Sequence, residues 1–138
     1  MQRDRVIEIL HQEQCSCVVC NNDNIRTFHQ RGVKDLLHLL DSEPQLLKGA
    51  FIADKVVGKG AAALMILGGV TDMHADVLSR PAAELLDKES TPYTYGKLVD
   101  NIINRRGDGI CPVESLCQSC TSATECLPLI KNFIMQAQ

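Results

Sequence analysis

The chain has 138 residues, of which 45% are hydrophobic and 22% are charged, with a net charge of −3 at pH 7. This length and apolar fraction predict one folded domain over residues 1–138. Proteins that wrap nucleic acid or lie on an anionic membrane need an excess of Lys and Arg. The acidic balance and the lack of Trp therefore argue against nucleic acid and a membrane surface as partners.

The N-terminal segment has no apolar run of the kind a secretory signal needs, because Glu8 and His11 interrupt it. The longest uncharged run, residues 60–70, is too short to span a bilayer. These features predict a cytoplasmic protein. In that compartment thiols stay reduced, so the seven cysteines indicate metal binding, catalysis or packing and not a disulfide framework.

The first half of the chain predicts two helices separated by a β-hairpin. Residues 3–13 carry a short apolar stripe at helical spacing. Residues 15–20 and 25–28 favour β-structure, and the intervening Asn and Asp residues tolerate the conformations of a tight turn. Val33, Leu36, Leu37 and Leu40 then repeat on one face of an amphipathic helix that ends near Asp41.

The second half predicts helices alternating with strands. Residues 50–53 form a short strand or the approach to the next helix, for which Asp54 is the predicted N-cap and which continues to Gly68. Its apolar character on all sides predicts that it is covered on all sides. Ser79 caps a later helix with Pro81 in its first turn. This helix is predicted to end near Ser90. Before it, residues 70–78 are predicted to form a strand. After it, we expect a strand over 91–95, a helical stretch over 98–103, a loop over 104–111, and one or two helices from Pro112 onward.

This order of elements indicates an α/β protein with a three-layer α/β/α plan and a mixed sheet. It matches the cytidine-deaminase-like fold, and three stretches resemble an uncharacterised bacterial domain-of-unknown-function family assigned to that fold. The stretches are Arg31-Gly32-Val33, residues 53–62 (ADKVVGKGAA) and residues 103–114 (INRRGDGICPVE). The resemblance therefore implies a cytidine-deaminase-like fold.

Zinc deaminases of that fold carry His-x-Glu or Cys-x-Glu at the start of one central helix and Pro-Cys-x-x-Cys at the start of the next. Here the predicted helix starts are Asp54-Lys55-Val56 and residues 81–85 (PAAEL). Neither contains the required thiolate, imidazole and glutamate set. Because zinc needs three protein ligands and an open position to activate water, the sequence lacks the zinc chemistry of the fold.

The resemblance nevertheless implies that two central helix starts converge on one pocket, which would favour an anionic or carbonyl-bearing ligand. Asp54, Lys55 and Lys59 are the candidate residues on the first helix. A lysine with a lowered pKa can act as a base or nucleophile, and an aspartate beside it can orient it. The alternative is that Asp54 is only a cap and the lysines are solvated.

Cys111 precedes Pro112 and is therefore predicted at a helix N-cap, where its thiolate would be stabilised by the helix terminus and by Arg105 or Arg106. This is the setting of a reactive cysteine. Asn104 as hydrogen-bond donor and Glu114 as acid or base would complete the site. The alternative is a capping cysteine packed in a glycine-flanked loop.

The C-terminal cysteines have the spacing C-x5-C-x2-C-x5-C, which can hold zinc or an iron–sulfur cluster. They are Cys111, Cys117, Cys120 and Cys126. The predicted helix separates the first two by more than a turn, which weakens this hypothesis. Cys15, Cys17 and Cys20 are interpreted as strand packing, with Cys15 and Cys17 on one face.

Asp72, His74 and Asp76 alternate along one strand and are interpreted as a solvated strand face, not a metal site. Two hypotheses follow from the whole sequence. The first is a small-molecule-binding protein or non-zinc enzyme that uses the pocket at the helix starts. Its candidate catalytic residues are Cys111, Lys59 and Asp54, and its candidate ligand-binding residues are Lys55, Asn104, Arg105 and Glu114. The second is a metal-binding or redox-responsive module at the C-terminal cysteines, with Cys117, Cys120 and Cys126 as candidate ligands. The sheet edges and the apolar helix also permit a homo-oligomer without fixing its symmetry.

Overall fold

The computed structural model describes residues 2–30, 33–104 and 106–136. Helices and strands follow one another along this part of the chain. They are α1 (Gln2–Gln12), β1 (Cys17–Asn21), β2 (Asn24–Phe28), α2 (Lys34–Ser42), α3 (Pro44–Leu47), β3 (Phe51–Val57), α4 (Lys59–Gly68), β4 (Asp72–Ser79), α5 (Arg80–Lys88), β5 (Tyr93–Val99), α6 (Pro112–Cys117) and α7 (Ala123–Gln136).

The strands form one mixed five-stranded sheet with the order β2-β1-β3-β4-β5. β1 runs antiparallel to both of its neighbours, and β3, β4 and β5 run parallel to one another. The predicted hairpin is confirmed, because β1 and β2 pair through a tight turn in which Asn22 has a φ of 55°. Asn tolerates this left-handed conformation better than most residues.

Helices cover both faces of the sheet, as predicted for the α/β class. On one face Val6, Ile9 and Leu10 of α1 pack against Val18 of β1 and Ala53 of β3. On the other face lies α4, which is contacted by α2, α5, α6 and α7. The near-complete burial of α4 confirms the prediction, made from its apolar sequence, that this helix is covered on all sides.

None of the helices in the described ranges combines the length and apolar character that a bilayer crossing would need.

The predicted start of the central helix at Asp54 is wrong. Asp54 lies inside β3, where it pairs with Cys17 of β1 and Ala75 of β4, and α4 begins only at Lys59 after Gly58. Pairing with β4 extends β3 through the β-branched Val56 and Val57, beyond the part of β3 that also pairs with β1. The cap-forming tendency of an Asp side chain is a local preference, and the sheet hydrogen bonds override it.

The helical stretch predicted over 98–103 is also wrong. β5 continues through Leu98, which pairs with Leu78 of β4, and Ile103 forms an isolated antiparallel bridge with Ile110. β5 therefore extends beyond the predicted strand over 91–95, because β4 provides parallel hydrogen-bond partners along its length.

The strand face of Asp72, His74 and Asp76 is not simply solvated, because α1 lies across it. Arg3 forms an ion pair with Asp72, and His11 Nε2 lies 2.9 Å from both carboxylate oxygens of Asp76. His74 contacts Asp76 on the same strand. These polar contacts orient α1 on the sheet next to its apolar contacts.

Substitution of Gly60 by Ala tests how closely α4 and α6 approach. A Cβ at Gly60 would lie 2.4 Å from Cγ1 of Val113. We therefore expect Gly60→Ala to lower the free energy of unfolding in urea by about 1–3 kcal/mol, despite the better helix propensity of alanine. The double variant G60A/V113A should lose less than the sum of the two single losses, because the smaller side chain removes the clash.

Gly109→Ala is the matched control, because its added Cβ would only reach an ordinary contact of 3.5 Å with Asn104. It should change stability by less than about 0.5 kcal/mol. Equal losses for G60A and G109A would contradict the close approach.

Candidate functional site

A cavity of about 550 Å³, here called the main cavity, lies beside the first turns of α4 and α6. The start of α2, the end of β3, the loop after β5 and the end of α7 complete its walls. Most of its lining is apolar, and the apolar side chains are Val33, Val56, Ala61, Ile102, Ile103, Pro112, Val113, Phe133 and Ile134. Its position at the carboxyl end of a sheet strand is where open α/β sheets usually bind ligands.

Glu114 forms one wall of the main cavity and is only 3% exposed. Its Oε1 accepts hydrogen bonds from the Lys59 backbone N–H at 2.7 Å and from the Ser79 hydroxyl at 2.9 Å. Its Oε2 accepts a hydrogen bond from the Ile102 backbone N–H at 2.5 Å. One carboxyl group thus joins the start of α4, the N-cap of α5 and the segment after β5.

Gly58 allows this arrangement because it has no side chain. A Cβ there would lie 3.0 Å from Oε1 of Glu114 and 3.1 Å from the Ile102 side chain. The Ser79 hydroxyl also accepts a hydrogen bond from the Ala82 backbone N–H, which confirms its predicted role as N-cap. The same hydroxyl thus caps α5 and binds Glu114.

Glu114 occupies the position where the sequence interpretation expected a ligand's anionic group. The free N–H groups at a helix start favour a negative charge, and here a side chain of the chain itself supplies it. The expectation that this place stays open for a ligand is therefore corrected. Glu114 acts in the described structure as a buried hydrogen-bond acceptor for three donors.

The cations of the main cavity lie at its rim. Lys34 and Arg106 are exposed lining residues, and neither forms an ion pair with an acidic side chain in the described part of the chain. Arg105, predicted to bind a ligand, lies outside the described residues.

Asn104 lines the main cavity but its side chain is used by its own loop. Its Oδ1 accepts hydrogen bonds from the Gly107 and Asp108 backbone N–H groups, and its Nδ2 donates to Asp108 Oδ1 at 2.9 Å. This is how short polar side chains stabilise turns. Asn104 therefore shapes the wall of the cavity and holds the loop.

Cys111 also lines the main cavity, at the N-cap position of α6 as predicted, but its side chain forms no capping hydrogen bond. It is half-buried, whereas the other six cysteines are buried. Cys111 is therefore the most accessible thiol of the chain.

Lys59 does not face Cys111 or Asp54. Its ammonium group donates hydrogen bonds to the backbone carbonyls of Cys120 at 2.6 Å and Gln118 at 3.3 Å, just beyond the end of α6. A cation at the carboxyl end of a helix compensates the carbonyl groups that have no partner there. Lys59 thus has a structural role in joining α4 to the α6–α7 connection.

Three of the predicted metal ligands, Cys117, Cys120 and Cys126, meet behind α4, while Cys111 lies apart in the main cavity. A hydrogen bond from Cys126 lowers the pKa of the Cys117 thiol and raises that of Cys126 itself. Within the described ranges, no group of three or more His, Cys, Asp or Glu side chains has an arrangement that could hold a metal ion.

Asp54 and Lys55 line a different cavity of about 310 Å³, here called the second cavity, on the other side of Val56. Asp54 is 9% exposed, and its burial raises the pKa of its carboxyl group to about 7. The thiol of Cys17 hydrogen-bonds to it, and burial together with the Asp54 charge raises the pKa of Cys17. The three candidate catalytic residues Cys111, Lys59 and Asp54 therefore lie in three separate places.

The sequence interpretation missed the second role of Ser79 and the part played by Ile102. Ser79 was recognised as a cap from its position before Pro81, but its bond to Glu114 joins residues far apart in the sequence. Ile102 takes part through its backbone N–H, which no side-chain motif reveals.

The fold and the cavities define an α/β protein with a mixed five-stranded sheet and an internal carboxylate between two helix starts. The model of the TM1506 family, a domain of unknown function (DUF1893), matches residues 5–134, so the chain belongs to the DUF1893 family. No curated protein matches the chain.

The chain is also similar in structure to a DUF1893 family protein (TM1506) from Thermotoga maritima, known from a crystal structure. The TM-score is 0.86 at 22% sequence identity, over 94% of this chain and 87% of the other. At this identity the likeness shows a shared fold.

Glu114→Gln should be strongly destabilising, because the amide offers one acceptor oxygen and directs an NH₂ group at a backbone donor. We expect a loss of about 2–4 kcal/mol in the free energy of unfolding, measured in urea. Glu84→Gln, the same change at an exposed position of α5, is the matched control and should have little effect. A loss at Glu114 no larger than that at Glu84 would show that the three hydrogen bonds do not stabilise the fold.

Asp54→Asn should change the pH dependence of stability. The folded-state pKa of about 7 exceeds the ordinary value of 3.8, so between these values the folded chain keeps a proton that the unfolded chain loses. The contribution of Asp54 to stability therefore decreases as pH rises from about 4 to about 7, by on the order of 4 kcal/mol. Urea unfolding from pH 4.5 to 8 should show this decrease in the parent and a flatter profile in D54N.

Asp41→Asn is the matched control, because Asp41 is an exposed residue of α2 in an ion pair with Lys131. Its profile should follow that of the parent. Identical profiles for D54N and the parent would rule out a raised pKa at Asp54.

Proposed function

We propose that this chain binds a small, largely apolar molecule with an anionic group in the main cavity. The observation that carries the proposal is a cavity of about 550 Å³ with nine apolar side chains in its lining and two cations, Lys34 and Arg106, at its rim. This volume is within the range of small-molecule sites, which combine a mainly apolar wall with a few polar groups.

The charges of the lining support an anion at the rim and not at the base of the cavity. The base contains Glu114, whose carboxyl group is already bound by three donors and would repel a second anion. The rim contains ammonium and guanidinium groups, and a guanidinium can bind a carboxylate through two parallel hydrogen bonds. A ligand would therefore place its apolar part inside and its anionic group outside.

We further propose that residues 1–138 form a cytidine-deaminase-like domain with a degenerate zinc site. The strand order, the two parallel connections through α4 and α5, and the neighbouring starts of these helices support this assignment. With α4 beginning at Lys59, the residues at the first helix start are Gly58, Lys59 and Gly60, not Asp54 to Val56.

The zinc ligands of that fold do not fit these residues. Gly58 and Gly60 have no ligand atom in a side chain, Lys59 points to carbonyl groups beyond α6, and the second helix start has Ala82 and Leu85. Glu114 fills the space between the two helix starts with its own hydrogen bonds. The proposed function therefore needs no step at a metal in this place.

Binding is better supported than catalysis by the surroundings of Cys111. Among the described lining residues of the main cavity no histidine is present, and the carboxyl group there belongs to the fully engaged Glu114. A cysteine nucleophile usually needs a neighbouring base to take its proton. We therefore assign Cys111 to the wall of a binding site.

The alternative of a metal-binding or redox-responsive module has weaker support. Cys117, Cys120 and Cys126 form a buried cluster that does not include Cys111. The described part of the chain offers no arrangement of side chains that could hold a metal ion. The contact between Cys117 and Cys126 is a hydrogen bond between two thiols that also packs α6 on α7.

Octanoate and octan-1-ol, which share a chain length and differ in charge, test the proposal by isothermal titration calorimetry. The parent should bind octanoate about tenfold more tightly than octan-1-ol, because two exposed ion pairs of up to about 1 kcal/mol each favour the carboxylate. The double variant K34E/R106E should lose this preference. Binding of neither compound at millimolar concentration would contradict the proposal.

Two further variants locate the binding. Ile134→Trp fills part of the main cavity and should abolish octanoate binding, whereas Met135→Trp adds the same ring at a neighbouring position that is 74% exposed and should not. Bound octanoate should also slow alkylation of Cys111 by iodoacetamide. Unchanged binding in I134W would place the site elsewhere.

A further inference from the structure

The second cavity is a separate site on the other side of Val56 from the main cavity, and nothing in the proposed function uses it. It lies between α2 and the ends of β1, β2 and β3. Its apolar wall consists of Phe28, Leu36, Leu39 and Val56, and its volume of about 310 Å³ suits a molecule of a few carbon atoms.

Two carboxyl groups line this cavity. Asp54 lies deep in it at 9% exposure, and Asp35 on α2 is half-buried. Both are close enough to Cys17 to act on the charge of its thiol. In the described ranges neither carboxyl group forms an ion pair with a Lys, Arg or His side chain.

The hydrogen bonds of Asp54 come from two backbone N–H groups and a thiol, and none of them brings a cation to its carboxyl group. Its Oδ1 accepts from the Val56 backbone N–H at 3.3 Å, a long hydrogen bond, the Lys55 backbone also donates, and the Cys17 thiol is a weak donor. A buried carboxylate normally has a cation or several strong donors beside it. The carboxyl group of Asp54 instead borders the open second cavity, which a cation could enter.

We propose that the second cavity binds a small organic ammonium ion, with its charge at Asp54 and Asp35 and its short apolar part against Phe28 and Leu36. This is a cation site, opposite in charge preference to the main cavity. It does not depend on the function proposed for the main cavity, because the two use different polar groups.

Binding should depend on pH through Asp54, which is protonated in about half of the folded chains near pH 7. An ammonium ion binds the ionised form, so its affinity should rise about tenfold from pH 6 to pH 8. Other charged or titratable groups also face Asp54 or line the cavity. They lie on or next to β1, β2, β3 and β4, and on α2. They are Cys17, His29, Asp35, Lys55 and Asp76.

The probe is n-butylammonium, with butan-1-ol as the uncharged compound of the same chain length, titrated into the full chain and followed by ¹⁵N–¹H NMR. At pH 8 we expect saturable shifts at the amides around Asp54 with butylammonium, and at least tenfold weaker binding of butan-1-ol. Asp54→Asn should weaken butylammonium binding at least tenfold and remove its pH dependence, and Asp35→Asn should weaken it severalfold.

Asp41→Asn is the matched control, because it removes the same charge from α2 outside the cavity. It should bind butylammonium as the parent does. D54N keeps the shape of the side chain and removes a buried acid, so it should fold at least as stably as the parent at pH 8. The absence of butylammonium binding, equal binding of butan-1-ol, or unchanged binding in D54N would each overturn the proposal.

Discussion

The carboxyl group of Glu114 is the constraint on which the arrangement of this protein depends. It joins the first turn of α4, the N-cap of α5 and the segment after β5. A buried charge is costly unless donors surround it, and here each donor is itself a group that needs an acceptor. Glu114 therefore forms part of the wall of the main cavity and links the starts of the two central helices.

The two cavities differ in where their charged groups lie. With a negative group at its base, the main cavity offers positive charge only at its rim, through Lys34 and Arg106. The second cavity has acidic groups both deep and half-buried, and burial there raises the pKa of Asp54 to about 7. Val56 lines both cavities, so the end of β3 separates the proposed anion site from the proposed cation site.

The C-terminal helices α6 and α7 stabilise the fold mainly by packing against α4. Lys59 binds the carbonyl groups beyond α6, and the three buried cysteines fill the space between α6, α7 and α4. Gly60 lets Val113 approach α4 closely. These contacts hold α6 in place, and α6 carries both Glu114 and the neighbouring Cys111 of the main cavity.

The sequence by itself determined the α/β class, the hairpin, the buried central helix and the Ser79 cap, because apolar periodicity and turn and capping preferences act over a few residues. It also placed Cys111 at the start of a helix. Only the tertiary structure decided that Asp54 belongs to a strand and that Asp54, Lys59 and Cys111 lie in separate places. It likewise decided that Glu114 is a structural acceptor. These outcomes depend on sheet pairing and on hydrogen bonds such as that between Ser79 and Glu114, which join distant residues and leave no local pattern in the sequence.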